Sequence, residues 1–348
     1  MTATFTAAET QAMRRALDLA ASPGVPTGPN PRVGCVLLDG GGATVAEGFH
    51  RGAGTAHAEA DALARAGERA RGTTAVVTLE PCNHSGRTGP CAEALVAAGV
   101  ARVVFAQADP NPVAAGGADT LRGAGLDVAH GLLADEARAV NRVWTFAVEH
   151  GRPFVTWKFA ATLDGRSAAA DGTSQWITGE AARADAHRLR SESGAILVGT
   201  GTALIDDPHL TARQPDGSLF PRPPIRVVMG ERDLPPAARV RDDAAPTWHL
   251  RTRDPKTVLA ALAEAEVHRV WLEGGPTLAG AFLSAGLVDE VVAYVAPLFL
   301  GRGRQAMTDI GITTITEALR LHPSDITVLG EDVRITATLS GAHSKEER

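Results

Sequence analysis

Apolar and polar positions alternate between two repeats along the first 150 residues. Positions 6–21 carry apolar side chains at helical spacing, with Glu9, Arg14, Arg15 and Asp18 opposite them, which predicts an amphipathic helix. A loop rich in proline and glycine follows at 22–31. Apolar runs predict strands at 32–38, 44–49, 74–79, 102–106 and 126–129. Helical periodicity predicts helices at 57–66, 91–98 and 134–150. Strands alternating with helices imply an α/β unit with a largely parallel sheet. Gly151-Arg152-Pro153 is a stop signal, so a first domain is set at 1–150.

The second half restarts with an apolar strand at 154–160, followed by a tight turn at Asp164-Gly165. A helix is predicted from Thr178 to Leu189, and strands at 195–199, 225–229, 267–272 and 291–295. The stretches 214–224 and 231–246 are proline-rich loops. A second domain therefore spans 151–340, and the polar tail at 341–348 is expected to be disordered. No internal repeat relates the halves.

Composition narrows the function classes. The chain has 348 residues, long for one core. It carries 34 basic and 40 acidic residues, and its net charge of −6 offers no general attraction to nucleic acid or an anionic membrane. Aromatics at 4% leave few platforms for stacking bases. The N-terminal helix lacks the apolar core of a signal peptide, and no run reaches bilayer-spanning length, so a cytoplasmic location is expected. Three cysteines argue against a disulfide framework.

Those cysteines differ. Cys35 lies inside an apolar strand and reads as a small core residue. Cys82 and Cys91 each follow a proline, and Cys91 opens a helix, where the dipole favours thiolate. Upstream stands His57-Ala58-Glu59. Alone, His57 would be a capping or core histidine and Glu59 a solvated helix residue. Together, one imidazole and two thiolates suit tetrahedral zinc with its fourth position left to water. H-x-E followed by P-C-x-x-C marks zinc deaminases, with the glutamate moving protons rather than binding metal. Here the thiols are separated by eight residues, 83–90, instead of two. His84, within that insert, is either a fourth ligand or a substrate contact.

The second half offers weaker signals. Glu273-Gly274-Gly275-Pro276-Thr277-Leu278 joins a strand to a helix, and Gly199-Thr200-Gly201-Thr202 follows another strand. Glycines at such junctions let backbone N–H groups approach a phosphate. Two of them suggest a nucleotide cleft at the sheet's carboxyl edge.

Taken together, the residues resemble the bifunctional deaminase–reductase family of riboflavin biosynthesis. The long motif Thr78-Leu79-Glu80-Pro81-Cys82-Asn83-His84-Ser85-Gly86-Arg87-Thr88-Gly89-Pro90-Cys91 is that family's own pattern. Pro29 to Gly34, Gly48-Phe49-His50, Asp109-Pro110-Asn111-Pro112, Leu163 to Arg166, Ser174 to Thr178 and Asp206 to Thr211 also match. The resemblance implies an α/β chain: an N-terminal three-layer domain like cytidine deaminase and a C-terminal domain like dihydrofolate reductase. The first would hydrolytically deaminate 2,5-diamino-6-(5-phosphoribosylamino)pyrimidin-4(3H)-one, with His57, Cys82 and Cys91 on zinc and Glu59 shuttling protons. Asn30, His50, His84, Arg87, Asp109 and Asn111 would line its substrate pocket. The second would use NADPH to reduce the ribosyl group to ribityl. Ala160, Trp176, Thr202, Asp206, Gly275, Pro276, Thr277, Leu278, Ala279, Gly280 and Ala281 would hold the cofactor. Ser174, Arg190, Leu210 and Arg213 would bind substrate, with Lys158 and Glu273 catalytic. The partner is thus a small phosphorylated pyrimidine, not nucleic acid or membrane, and homo-oligomerisation through the reductase half is expected.

Two departures stand out. After 225–229 the family carries Asp-Ser near the cofactor, whereas this chain has Gly230-Glu231, a carboxylate that would weaken preference for a 2′-phosphate. The glycine spacing in 113–118 is also loosened. The sequence leaves three alternatives open. A nucleic-acid deaminase would want a basic, aromatic surface. A zinc-stabilised binding module would have no use for Glu59. A deaminase with a silent second half would release ammonia without oxidising NADPH.

Overall fold

The computed structural model describes residues 4–84 and 89–339. The chain divides into two compact units, Met1–Gly151 and Arg152–Arg348.

In the first unit the order is α1 (Ala7–Ala20), β1 (Gly34–Leu38), β2 (Thr44–Phe49), α2 (Ala58–Ala66), β3 (Thr74–Leu79), α3 (Cys91–Ala97), β4 (Arg102–Gln107), α4 (Gly117–Gly123), β5 (Asp127–His130), α5 (Ala134–Val140) and α6 (Arg142–His150). The five strands form one sheet in the order β2-β1-β3-β4-β5. Only part of it is parallel. β1 runs antiparallel to both β2 and β3, while β3, β4 and β5 run parallel. A short turn joining 38 to 44 leaves room for a hairpin alone, and that overrules the largely parallel sheet expected from strand–helix alternation. Alternate residues face two cores. Cys35 and Leu37 pack with α2 and α3, and Val36 and Leu38 with Met13, Ala16 and Leu17 of α1. Covering both faces explains why these strands read as continuous apolar runs.

Thr6 starts α1 with a capping box: its hydroxyl accepts from Glu9 N at 3.1 Å and Glu9 Oε2 accepts from Thr6 N at 2.7 Å. Gly48 is what seats α2. A Cβ there would lie 2.3 Å from Ala58 O and 2.4 Å from Ala62 N, so only glycine lets the helix backbone reach β2. The single helix expected at 134–150 is broken at Asn141. Its side chain accepts from Arg32 N and donates to Arg32 O, both at 2.8 Å, tying the break to the loop before β1. The short helix α4 was not foreseen, because Gly116-Gly117 hides it.

The second unit contains β6 (Phe154–Thr162), β7 (Arg166–Ala169), α7 (Glu180–Ser191), β8 (Ala195–Gly199), α8 (Thr200–Ile205), β9 (Ile225–Met229), β10 (Thr247–Leu250), α9 (Pro255–Glu264), β11 (Arg269–Leu272), α10 (Pro276–Ser284), β12 (Glu290–Ala296), β13 (Gly303–Gln305), β14 (Leu321–Leu329) and β15 (Asp332–Leu339). Eight strands form a sheet ordered β10-β9-β8-β11-β6-β12-β15-β14, and β13 pairs with β7. The six strands from β10 to β12 are parallel; β15 and β14 close one edge as an antiparallel hairpin. Inner strands again split between two cores, Leu197 against α9 and α10, and Ile196 and Val198 against α7. β7, α8, β10, α9, β13, β14 and β15 go beyond the elements expected. The outer pair escaped notice because β14 is exposed along most of its length and lacks an apolar run. Among the described residues no helix is long and apolar enough to cross a membrane.

Candidate active sites of the two units

In the first unit, seating α2 on β2 places His57 at the helix N-cap, where its ring makes no capping bond. The loop after β3 brings Cys82, and the first residue of α3 brings Cys91. The ligand atoms of His57, Cys82 and Cys91 all lie within 4.8 Å of one another. His57 Nδ1 is 3.5 Å from Cys82 Sγ and 3.3 Å from Cys91 Sγ. The Cys91 N–H points at Cys82 Sγ from 3.4 Å, so the helix terminus itself supports a thiolate.

The protonation of the cluster suits a cation. The Cys91 thiol hydrogen bond, then His57 and the Cys91 N–H, draw Cys82 down to about 4. Cys91 is pushed up by the same shared proton and by burial. Its bond to Cys82 raises the pKa of His57. One nitrogen and two sulfurs at this spacing are a zinc donor set that leaves a coordination position open. Glu59, one residue into α2, is 4% exposed, and burial pushes its carboxyl up to about 7. A carboxyl with that value is matched to moving protons near neutral pH.

Behind the cluster, His50 donates from Nδ1 to Ala56 O at 2.9 Å, which leaves Nε2 to accept from Asn30 Nδ2 at 3.0 Å. Its ring meets that of His57 edge-on at 5.4 Å, and burial lowers its pKa, keeping it neutral. Asp109 and Asn111 lie in the loop after β4, with Asn111 N donating to Asp109 Oδ1 at 2.8 Å. Burial pushes the Asp109 carboxyl to about 6, helped by Glu80 and Cys82. His84 has a buried Nδ1 without a hydrogen-bond partner. Arg87 lies outside the described residues, as does the tail at 341–348.

One residue of this site was overlooked in the sequence. Glu80 accepts from Ala118 N at 2.9 Å and from Asp109 N at 3.2 Å, tying the cysteine loop to the Asp109 loop and to the start of α4. Its place directly before Pro81-Cys82 was the available signal. Gly117 completes the fit, since a Cβ there would sit 1.8 Å from Pro81 O.

In the second unit a cleft of about 600 Å³ opens where α7, the turn after β11 and the loop at 174–178 meet. Lys158, Ala160, Ser174, Trp176, Arg190, Asp206, Arg213, Glu273, Gly275 and Pro276 line it. Arg190 Nε donates to Glu273 Oε1 at 2.6 Å and Nη2 to Oε2; Trp271 Nε1 also donates to Oε1. Despite burial, the charges of Arg190 and Lys158 hold the Glu273 carboxyl down to about 2. Lys158 Nζ lies 5.8 Å from the centre of the Tyr294 ring, and burial lowers its pKa. The Arg183 guanidinium stacks 4.5 Å from the Trp176 ring, which stands 68% exposed over the cleft.

Other expected residues do not reach this cleft. Leu210 is buried in the core beside α7. Ala279 faces the core, and Gly280 faces Thr308, whose Oγ1 a Cβ would meet at 2.5 Å. Thr277 is exposed, while Leu278 and Ala281 are half-buried along α10. From this helix it is the Gly274-Gly275-Pro276 turn that borders the cleft; Thr202 Oγ1 comes within 3.7 Å of where a Gly275 Cβ would stand. Glycine at the start of a nine-residue helix suits a phosphate-bearing cofactor. Glu231 is ion-paired with Arg253 at 3.5 Å, so part of its charge is already offset.

Fold and site together define a zinc-type pyrimidine deaminase unit followed by a nucleotide-dependent reductase unit. Residues 7–107 match the cytidine and deoxycytidylate deaminase zinc-binding region, and residues 153–335 match the RibD C-terminal domain. The riboflavin biosynthesis protein RibD of Mycobacterium tuberculosis is 52% identical over 311 residues, covering 89% of this chain and 91% of its own length. That of Escherichia coli is 42% identical over 355 residues, covering 92% and 96%. The structure of Acinetobacter baumannii RibD superimposes with a TM-score of 0.87 at 38% identity, covering 96% of this chain and 99% of its own. A diaminohydroxyphosphoribosylaminopyrimidine deaminase/5-amino-6-(5-phosphoribosylamino)uracil reductase from Thermotoga maritima gives 0.85 at 30% identity, with the same coverage. The chain belongs to the RibD family of bifunctional riboflavin-biosynthesis proteins, a zinc deaminase fused to an NADPH-dependent reductase.

Proposed function

We propose that the first unit removes the 2-amino group of 2,5-diamino-6-(5-phosphoribosylamino)pyrimidin-4(3H)-one, and that the second reduces the ribosyl group of the product to ribityl. The observation that carries this reading is the convergence of His57, Cys82 and Cys91 beside the buried Glu59. When bound, zinc supplies a Lewis acid that lowers the pKa of a water. Glu59 would accept one proton of that water and hand it to the ring nitrogen as the new carbon–oxygen bond forms, then take the second proton from the added hydroxyl and pass it to the amine, so that the carbon–nitrogen bond breaks to leave a carbonyl and ammonia. Neutral His50 with Asn30, and the Asp109–Asn111 loop held by Glu80, position the pyrimidine. By the family resemblance, Arg87 and His84 would also contact the substrate.

In the second unit NADPH, when bound, supplies a hydride to the anomeric carbon. The carbon–oxygen bond of the ring breaks, and the ring oxygen takes a proton. Lys158, a half-buried ammonium lining the cleft with Glu273 and Arg190, is placed to deliver it. Arg213 and Ser174 hold the sugar phosphate, and Arg190, neutralised by Glu273, orients both. Ala160, Trp176, Asp206 and the Gly275-Pro276 turn bind the cofactor, and Arg253 offsets part of the Glu231 charge.

A cytoplasmic location fits a soluble metabolite as substrate. Self-association would run along β14, an edge strand whose Leu321, Ile326 and Val328 are exposed together with Ile315. Incubating the full chain with the diaminopyrimidine, while following ammonia by colorimetry and NADPH by absorbance, tests the proposal. Equal amounts of ammonia and oxidised NADPH are expected. Ammonia alone would leave one working unit, and neither would reject the reading. Light scattering tests the association: a monomer at working concentration would reject it.

A further inference from the structure

His187 sits one turn before Arg190 on α7 and lines the same cleft. It belongs to none of the sequence motifs. Its ring has a fixed tautomer. The backbone N–H of Arg213 donates to Nδ1 at 3.2 Å, and Arg190 Nη1 approaches the same nitrogen at 3.5 Å. Two donors aimed at Nδ1 leave it no proton, so a neutral ring carries its hydrogen on Nε2. Burial and the two arginines also oppose a second proton, bringing its pKa down to about 4 although Glu273 and the Thr211 backbone carbonyl pull the other way. Both of these contacts fall on Nδ1, and among the described residues Nε2 has no hydrogen bond to another side chain.

We infer that His187 is a specificity residue of the reductase site. It presents an uncharged Nε2–H to an uncharged oxygen of the substrate, a hydroxyl of the sugar or a carbonyl of the base, rather than to its phosphate. The inference rests on reading this unit as the reductase. The division of labour follows from charge. Arg213 lines the cleft as a cation and suits the phosphate, while a neutral donor can bind a hydroxyl without drawing anions to the reacting carbon.

Glutamine and asparagine substitutions separate the two ring nitrogens. In His187→Gln the side-chain amide reaches the position of Nε2, and in His187→Asn that of Nδ1. His187→Gln should keep the substrate KM within about twofold of wild type. His187→Asn should raise it roughly tenfold, the loss of one neutral hydrogen bond, with kcat and the NADPH dissociation constant unchanged. The same tenfold effect should appear on the dephosphorylated substrate. An effect confined to the phosphorylated compound, equal effects in both variants, or a changed NADPH affinity would overturn the assignment. In the unmutated full chain, nitrogen NMR of labelled histidine should show a neutral Nε2–H tautomer at pH 6; an imidazolium or an Nδ1–H ring would also overturn it. A wild-type chain that binds substrate without oxidising NADPH would refute the reductase reading alone, and substrate titration of both variants would then decide His187.

Discussion

Glu273→Gln tests the electrostatics of the second unit most sharply. The carboxylate is 10% exposed and faces Arg190, 18% exposed, in a two-pronged pair, with Lys158 close by. Glutamine keeps the shape and the acceptor for Trp271 but removes the only negative charge among these groups. Two cations then share the cleft floor, and breaking a buried pair in this way costs about 3–5 kcal/mol. A second route gives a similar size. The carboxyl pKa falls from 4.5 to about 2 on folding, and at ~1.4 kcal/mol per unit that is roughly 3 kcal/mol. The sign follows from the depression: the stabilisation is complete above the unfolded value of 4.5 and is lost as pH falls through 2. Denaturant unfolding of the full chain followed by tryptophan fluorescence reads it, because Trp157, Trp176, Trp248 and Trp271 report on this unit. At pH 7 the variant should lose about 3 kcal/mol, and the gap to wild type should close between pH 4.5 and 2. The double variant Arg190→Met with Glu273→Leu should recover most of the loss while remaining inactive. A gap below about 0.5 kcal/mol, or one independent of pH, would refute the reasoning.

Further outcomes are expected in the first unit. Glu59→Gln should retain one zinc per chain and lose at least about 10²-fold in deamination, with NADPH oxidation on the deaminated substrate unchanged. Cys91→Ser should lose zinc and deamination together, read by metal analysis, while the reductase unit still binds NADPH. Gly48→Ala should destabilise the unit by about 1–3 kcal/mol and weaken zinc binding, since its Cβ would displace α2 and with it His57. Asp109→Asn should stabilise the unit above pH 6 by up to about 2 kcal/mol: its raised carboxyl favours the fold at low pH, and that benefit disappears as pH climbs from the ordinary carboxylate range through 6. Thermal unfolding at pH 4 and pH 8 measures it, with deamination falling at the same time.

Much of the first site was legible because its chemistry is compressed into short motifs. His57 and Glu59 are two residues apart, and Cys82 and Cys91 each sit at an element boundary that apolar runs make visible. The residues that hold this site were harder to see. Asn141 interrupts a perfectly periodic helix, and its bond to Arg32 spans 109 positions, beyond what local pattern can report. In the second unit the cleft is assembled from β6, α7, the turn after β11 and the loop at 174–178, none carrying a dense motif. Leu210 and Ala279 resemble neighbours of the cleft in sequence, yet apolar packing draws both into the core. His187 looked like an ordinary helix residue until the fold brought Arg213 N to its ring.

Deamination here requires a three-ligand zinc site that keeps a position for water beside Glu59. X-ray absorption at the zinc edge of the purified full chain measures that directly. Two sulfur neighbours near about 2.3 Å and two nitrogen or oxygen neighbours near about 2.0 Å are predicted, with no zinc retained in Cys82→Ser, as in Cys91→Ser. Four protein ligands, or zinc bound without sulfur, would contradict it.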